Sequence, residues 1–128
     1  MSTIQASSFN KVVYQGTHGN LSVAISEHSF SATPKDTIVD IFLIPPGARL
    51  TTALLYSKSG LGAGAGIDLL IDGTVVDSVI DFSQADATHT RPVLISTEAE
   101  TTVSVQVTGA AATGDFVLEI FYLYEGTI

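Results

Sequence analysis

Apolar and polar side chains alternate with a period of two along most of this chain. Residues 101–108 (TTVSVQVT) set Val103, Val105 and Val107 against Thr102, Ser104 and Gln106, which predicts a strand with one buried face. Residues 21–30 (LSVAISEHSF) place Leu21, Val23 and Ile25 on one side and Ser22, Ala24 and Ser26 on the other, again a half-buried strand. Residues 49–58 put Leu50, Thr52, Leu54 and Tyr56 on one face, against Thr51, Ala53, Leu55 and Ser57. Two segments are apolar on both sides. Residues 37–44 run almost unbroken except for Asp40, the pattern of a strand that is buried on both faces or shows one face to a partner. Residues 116–124 carry Phe116, Leu118, Ile120, Tyr122 and Tyr124 opposite Val117, Glu119, Phe121 and Leu123, as expected of a strand central in its sheet or covered by a neighbouring subunit.

Turn-forming residues punctuate these runs. A short β-branched strand at 11–14 (KVVY) is stopped by QGTHGN, and Pro34-Lys35-Asp36 reads as a turn. Pro45 and Pro46 lack amide donors and must end a strand, while Gly47 allows positive φ at the reversal. Residues 59–66 (SGLGAGAG) form a small-residue loop, and residues 109–114 (GAAATG) a hairpin-type loop. Asp72-Gly73, between 67–71 and 74–81, is the strongest local signal, a two-residue type I′ hairpin turn. Residues 81–90 read as a polar connection with room for one helical turn, and Pro92 marks the start of a strand at 91–97.

Eight or nine short strands with no amphipathic helix define an all-β, single-domain antiparallel β-sandwich. A jelly-roll-like topology is preferred on strand count and on the lack of the Cys and Trp of antibody-type domains, although the pattern alone leaves an immunoglobulin-like topology open. At 128 residues there is room for one domain: a flexible N-terminal arm at 1–10, with Ile4 and Phe9 as its large apolar side chains, and a β-sandwich domain at 11–128.

Composition narrows the partners. Thirteen acidic residues against five basic ones give a net charge of −8, which repels phosphate backbones and anionic headgroups, so neither nucleic acid nor membrane is expected as a partner. The N-terminus lacks the charged and apolar regions of a signal peptide, and no window approaches 18 uninterrupted apolar residues. Without cysteine the fold is held without disulfides. An apolar share of 45% with only 14% charged residues is high for a small soluble monomer and favours oligomerisation or a covered surface.

No constellation reads as catalytic. His18, His28 and His89 are too far apart in sequence to form a metal-binding cluster, and Asp68, Asp72, Asp77, Asp81 and Asp86 match no calcium loop. No GxSxG elbow is present, and the glycine-rich 59–66 is followed by strand rather than by the helix a dinucleotide fold requires. Tyr14, Tyr56, Tyr122 and Tyr124 fall mostly in core-facing sets rather than on a sugar-stacking surface. No catalytic residue, metal or cofactor is therefore expected.

The stretch 40–73, DIFLIPPGARLTTALLYSKSGLGAGAGIDLLIDG, resembles small structural proteins of tailed bacteriophages, in which an apolar strand leads to an I-P-x-G-A-R-type turn, a strand, and a short hydrophobic strand ending in D-G. The matching positions are Ile44, Pro45, Gly47, Ala48, Arg49 and residues 67–73. The resemblance implies a non-enzymatic capsid decoration or cement protein, made in the host bacterial cytoplasm and carried on the capsid surface of the virion. Its implied partners are the major capsid protein and further copies of itself, as a homodimer or homotrimer. For these contacts the sequence nominates Ile4 and Phe9 in the arm, and Phe121 and Leu123 on the terminal strand. A lectin-like ligand-binding sandwich and a tail or fibre accessory domain are the alternatives.

Overall fold

The computed structural model describes residues 3–6, 9 and 21–124; the strand expected at 11–14, and His18, lie outside the described residues. Nine strands run through them: β1 (Thr3–Gln5), β2 (Leu21–Thr33), β3 (Ile38–Ile44), β4 (Ala48–Ser57), β5 (Gly66–Ile71), β6 (Thr74–Asp81), β7 (Ala87–Ser96), β8 (Thr101–Thr108) and β9 (Ala112–Tyr124). They form two sheets, ordered β1-β3-β8-β5-β6 and β2-β9-β4-β7. From β2 onward every connection crosses to the opposite sheet except β5 to β6, so 2-9-4-7 lies over 3-8-5-6. That is the paired Greek key of a jelly roll, and it excludes the immunoglobulin-like alternative. Thr3–Gln5, expected as part of an arm, add in parallel to the edge of β3, from Thr3↔Ile38 to Gln5↔Asp40.

Among the described residues, the one hairpin between strands adjacent in sequence is the one its turn chemistry specified. Asp72 and Gly73 both have positive φ, 52° and 82°, and Ile71 pairs with Thr74 across them. The other connections are corners between sheets. Residues 109–114, expected as a hairpin loop, carry the chain from β8 in one sheet to β9 in the other. Pro45-Pro46-Gly47 turns from β3 to β4, and Thr97 staples this corner. Gly47 N–H donates to Thr97 O (2.9 Å), Ala48 N–H to Thr97 Oγ1 (2.9 Å), and Thr97 Oγ1 to Pro45 O (2.9 Å).

Two bulges change what the alternation alone implied. In β4 the register against β9 shifts between Leu50 and Thr52, so the phase slips by one residue. Leu50 and then Ala53, Leu55 and Ser57 point inward, and Leu54 and Tyr56, expected on the same face as Leu50, point outward. In β3 the shift between Asp40 and Phe42 makes Ile41 the extra residue, and both Ile41 and Phe42 are buried. Val39, Ile41, Phe42 and Ile44 are buried in the core, whereas Ile38, Asp40 and Leu43 are half-buried on the other side of the strand. On its outer side Asp40 accepts a hydrogen bond from Ser104 Oγ at 2.8 Å.

The polar connection is shorter than expected. β7 begins at Ala87, and Asp86 at φ 59° makes the turn where a helical turn had room. Pro92 lies inside β7 rather than at its start, which is tolerated because β7 is the outermost strand of its sheet. Phe82 in this connection is fully buried and meets Phe116 edge-to-face at 5.5 Å, and Phe30 packs on the other side of Phe116 at 5.9 Å. Val103, Val105 and Val107 line the core as their period of two specified.

The glycine-rich loop closes one end of the sandwich. Leu61 is fully buried; its N–H donates to Phe82 O (2.8 Å) and its carbonyl accepts from Thr113 N–H (3.0 Å). Here two loops approach backbone to backbone: a Cβ on Gly109 would stand 2.2 Å from Gly64 O, and one on Gly114 2.4 Å from Gly60 O. The glycines serve close packing rather than a phosphate cradle.

Candidate interaction face

The outer face of the four-stranded sheet is built by three strands whose inward and outward sets are fixed by the core. β2 buries its small side: Ser26 is 3% exposed and Ala24 packs against the core, while Leu21, Val23 and Ile25 are 62%, 41% and 55% exposed. A half-buried strand ordinarily hides its large apolar set; this one displays it. The antiparallel register then brings outward residues of β9 alongside, Leu21↔Leu123, Val23↔Phe121 and Ile25↔Glu119, and β4 continues the rows with Arg49↔Leu123 and Leu54↔Glu119.

The face therefore has three rows. The first is Leu21, Leu123 and Arg49; the second is Val23 and Phe121 beside the bulged Thr51 and Thr52; the third is Ile25, Glu119 and Leu54. Phe121, Leu123 and Leu54 are half-buried by their neighbours. A shallow apolar hollow of about 300 Å³ opens on this face, lined by Leu21, Thr51, Thr52, Leu54, Thr90 and Phe121. Further along the same strands the surface turns polar, with Glu27, Tyr56, Lys58 and Asp115 around a hollow of about 420 Å³ and Ser29 Oγ donating to Asp115 Oδ1 at 3.0 Å.

Of the four nominated contact residues, Phe121 and Leu123 lie in this face. Ile4, 42% exposed, lies in β1 at the edge of the other sheet, and the half-buried Phe9 follows that strand, its N–H donating to Ala6 O at 3.0 Å. Leu21, Val23 and Ile25 were not nominated. The signal was the small size of Ser22, Ala24 and Ser26, which suits the side pressed against a partner sheet.

The two described histidines each contact a neighbouring strand residue. His28 stacks edge-to-face on Phe30 at 4.8 Å, and burial lowers its pKa from the usual 6.5. His89 Nε2 lies 2.5 Å from Asp77 Oδ2, tying β7 to β6 where the two sheets meet at one side. The Asp81 carboxylate, stabilised by hydrogen bonds from Ser83 Oγ (2.6 Å) and Ser83 N–H (2.8 Å), has a lowered pKa. Among the described residues no three His, Cys, Asp or Glu side chains come together to hold a metal ion, and no helix is long and apolar enough to cross a membrane.

No protein-family model and no curated protein matches the chain. Solved structures do. The capsid of Ralstonia phage GP4 contains a chain similar in fold at TM-score 0.66 and 17% identity, over 98% of this chain and 99% of that one. The Cyanophage Pam1 capsid asymmetric unit contains another at TM-score 0.65 and 21% identity, over 88% and 90%. The acidic stable capsid structure of Helicobacter pylori bacteriophage KHP30 contains a third at 0.62 and 14%, over 88% and 94%. At these identities the likeness is one of fold: this chain is an all-β sandwich of the kind found in three phage capsids.

Proposed function

We propose that the chain is a non-enzymatic virion structural protein that binds the outside of a bacteriophage capsid and stabilises it as a homo-oligomeric decoration or cement protein. The observation that carries this reading is the correspondence in fold with a chain of a phage capsid over 98% of this chain and 99% of that one. The exposed Leu21, Val23 and Ile25 support it, since a solitary domain gains nothing by displaying them.

The mechanism is mechanical. Copies associate through apolar surface and bridge neighbouring capsomers of the major capsid protein, with Ile4 and Phe9 of the N-terminal segment available for the shell. A stable contact buries roughly 800 Å² per partner, and repetition over an icosahedral lattice turns modest contacts into a tight coat through effective concentration. The test is to add the purified chain to capsids lacking it and follow cosedimentation, then electron cryomicroscopy. Extra density at fixed positions outside the shell, with raised particle melting, supports the reading. Capsids that stay bare at saturating protein overturn it.

A further inference from the structure

We infer that the polar hollow at the far end of β2, β9 and β4 is a glycan-binding site, which seats one neutral pyranose ring against Tyr56. The site is additional to the capsid contacts, and its physical argument is local. Cross-strand register builds it. Glu27 of β2 pairs with Val117 of β9, and Val117 with Tyr56 of β4, so one outward row reads Glu27, Val117, Tyr56. The next row sets Ser29 beside Asp115, and Lys58 follows two residues after Tyr56. All six line the hollow of about 420 Å³, within the range of about 300–1,000 Å³ usual for small-ligand sites. Val117 is short and floors it. Glu27 and Tyr56 stand two strand spacings apart, about 10 Å, and successive outward rows lie about 7 Å apart, which suits a six-membered sugar ring with its hydroxyls.

The bulge in β4 makes this arrangement, because it turns the half-buried Tyr56 outward. One face of a pyranose is a patch of C–H groups that packs on the negative face of an aromatic ring, while the hydroxyls around its rim need donors and acceptors. Both kinds surround Tyr56. Ser57 Oγ donates to Asp115 O, Asp115 N–H donates to Ser59 Oγ (3.3 Å), and Ser29 Oγ donates to Asp115 Oδ1 (3.0 Å). The Asp115 carboxylate is thereby fixed before a ligand arrives, with acceptor capacity beyond what Ser29 uses. Among the described residues Glu27, Tyr56 and Lys58 make no side-chain hydrogen bond or ion pair, so their polar groups are available to a ligand. Charge selects the class of sugar. Two carboxylates against one ammonium, on a chain of net −8, disfavour acidic sugars and phosphates. A shallow site of this kind binds one sugar with a Kd of about 1–10 mM, and repetition over a capsid, which rests on the decoration reading, raises the avidity.

The test is to titrate the isotopically labelled full chain with methyl glucoside, methyl mannoside, methyl galactoside and N-acetylglucosamine, each to about 50 mM, and follow amide shifts by nuclear magnetic resonance. The expected result is saturable shifts with at least one of these sugars, confined to residues 27–29, 56–58 and 115–117. Tyr56→Ala weakens binding about tenfold, and Tyr56→Phe, which keeps the ring, stays within about twofold. Glu27→Gln, at an exposed position, weakens it about threefold. Melting of each variant is measured alongside, and Tyr56→Phe and Glu27→Gln keep the test open if Tyr56→Ala unfolds. No shift with any of the four sugars, shifts centred on the apolar hollow of Leu21, Thr90 and Phe121, tighter binding of glucuronic acid than of the neutral sugars, or a folded Tyr56→Ala that binds as well as the unaltered chain overturns the inference. Capsid binding is measured on the same preparations. A chain that binds sugar and leaves capsids bare defeats the decoration reading alone, and one that coats capsids without binding sugar defeats the glycan site alone.

Discussion

Replacing Gly109 with alanine tests how closely the two glycine-bearing loops shut the end of the sandwich. Gly109 has φ +78°, and its added Cβ would stand 2.2 Å from Gly64 O, a backbone atom with no rotamer to change. Left-handed backbone costs an L residue about 1–2 kcal/mol. Restoring ordinary contact means moving one loop by more than 1 Å, given that ordinary contact begins at 3.4 Å. Forced repacking of that kind costs about 1–3 kcal/mol. The sum, about 2–5 kcal/mol, is a large part of a typical domain stability of about 5–15 kcal/mol. At about 4 °C per kcal/mol for this size, the melting midpoint falls by roughly 8–20 °C. Far-ultraviolet circular dichroism during heating measures it, with urea titration to confirm an unchanged m-value. Gly62→Ala is the control: φ is +105° and nothing lies within 4 Å of the added Cβ, so only the backbone cost of about 1–2 kcal/mol applies. Equal melting losses for the two variants would refute the loop-to-loop contact.

Other expectations follow from single contacts. Thr97→Val removes the acceptor of the buried Ala48 N–H and should cost about 1–3 kcal/mol in chemical denaturation, with Thr97→Ser recovering most of it. Gly73→Val leaves space for the side chain but forces it into left-handed backbone at φ +82°, at a cost of about 1–2 kcal/mol in the same assay. His28 has a folded-state pKa below its usual value of 6.5 because burial disfavours the charged ring. The unfolded chain therefore binds the proton more readily. This contribution to stability is complete above 6.5 and is lost as pH falls from there through the folded value. Urea midpoints measured from about pH 7.5 to about pH 5.5 should decline, and His28→Gln should flatten that decline.

Period-two alternation located strands well where one residue type filled each face, as in β8, whose valines all point inward. It could not foresee the bulges at Thr51-Thr52 and Ile41, because one inserted residue reverses the phase without any local mark in composition. Alternation also divides a strand into two sides without saying which faces the core. In β2 that choice is made by the opposite sheet, and it went to the serines. The candidate face was half legible for this reason. Phe121 and Leu123 stood out because both sides of β9 are apolar, while Leu21, Val23 and Ile25 looked like ordinary core residues. The apolarity of residues 37–44 left open a strand buried on both faces or one with a face for a partner, and the bulge, which turns Ile41 and Phe42 inward together, accounts for much of it. The corner at 109–114 resembles a hairpin because glycine and alanine serve both, and only sheet membership distinguishes them. Asp77 and His89 are too far apart in sequence for any motif to have joined them.

The crossing of nearly every connection between the two sheets has a kinetic consequence. A strand that cannot pair with its neighbour in sequence must wait for a distant one, and β2 waits for β9, Leu21 joining Leu123 at the far end of the chain. Folding dominated by such closures is slow. Among the described strands the β5–β6 hairpin is the one sheet pairing that can form from strands adjacent in sequence, so it is the natural seed onto which β8 and then the rest assemble. During synthesis the apolar side chains of β2 emerge first among these partners and are paired last. The same stripe that suits the finished protein for association is, until β9 arrives, the segment of the nascent chain most in need of protection.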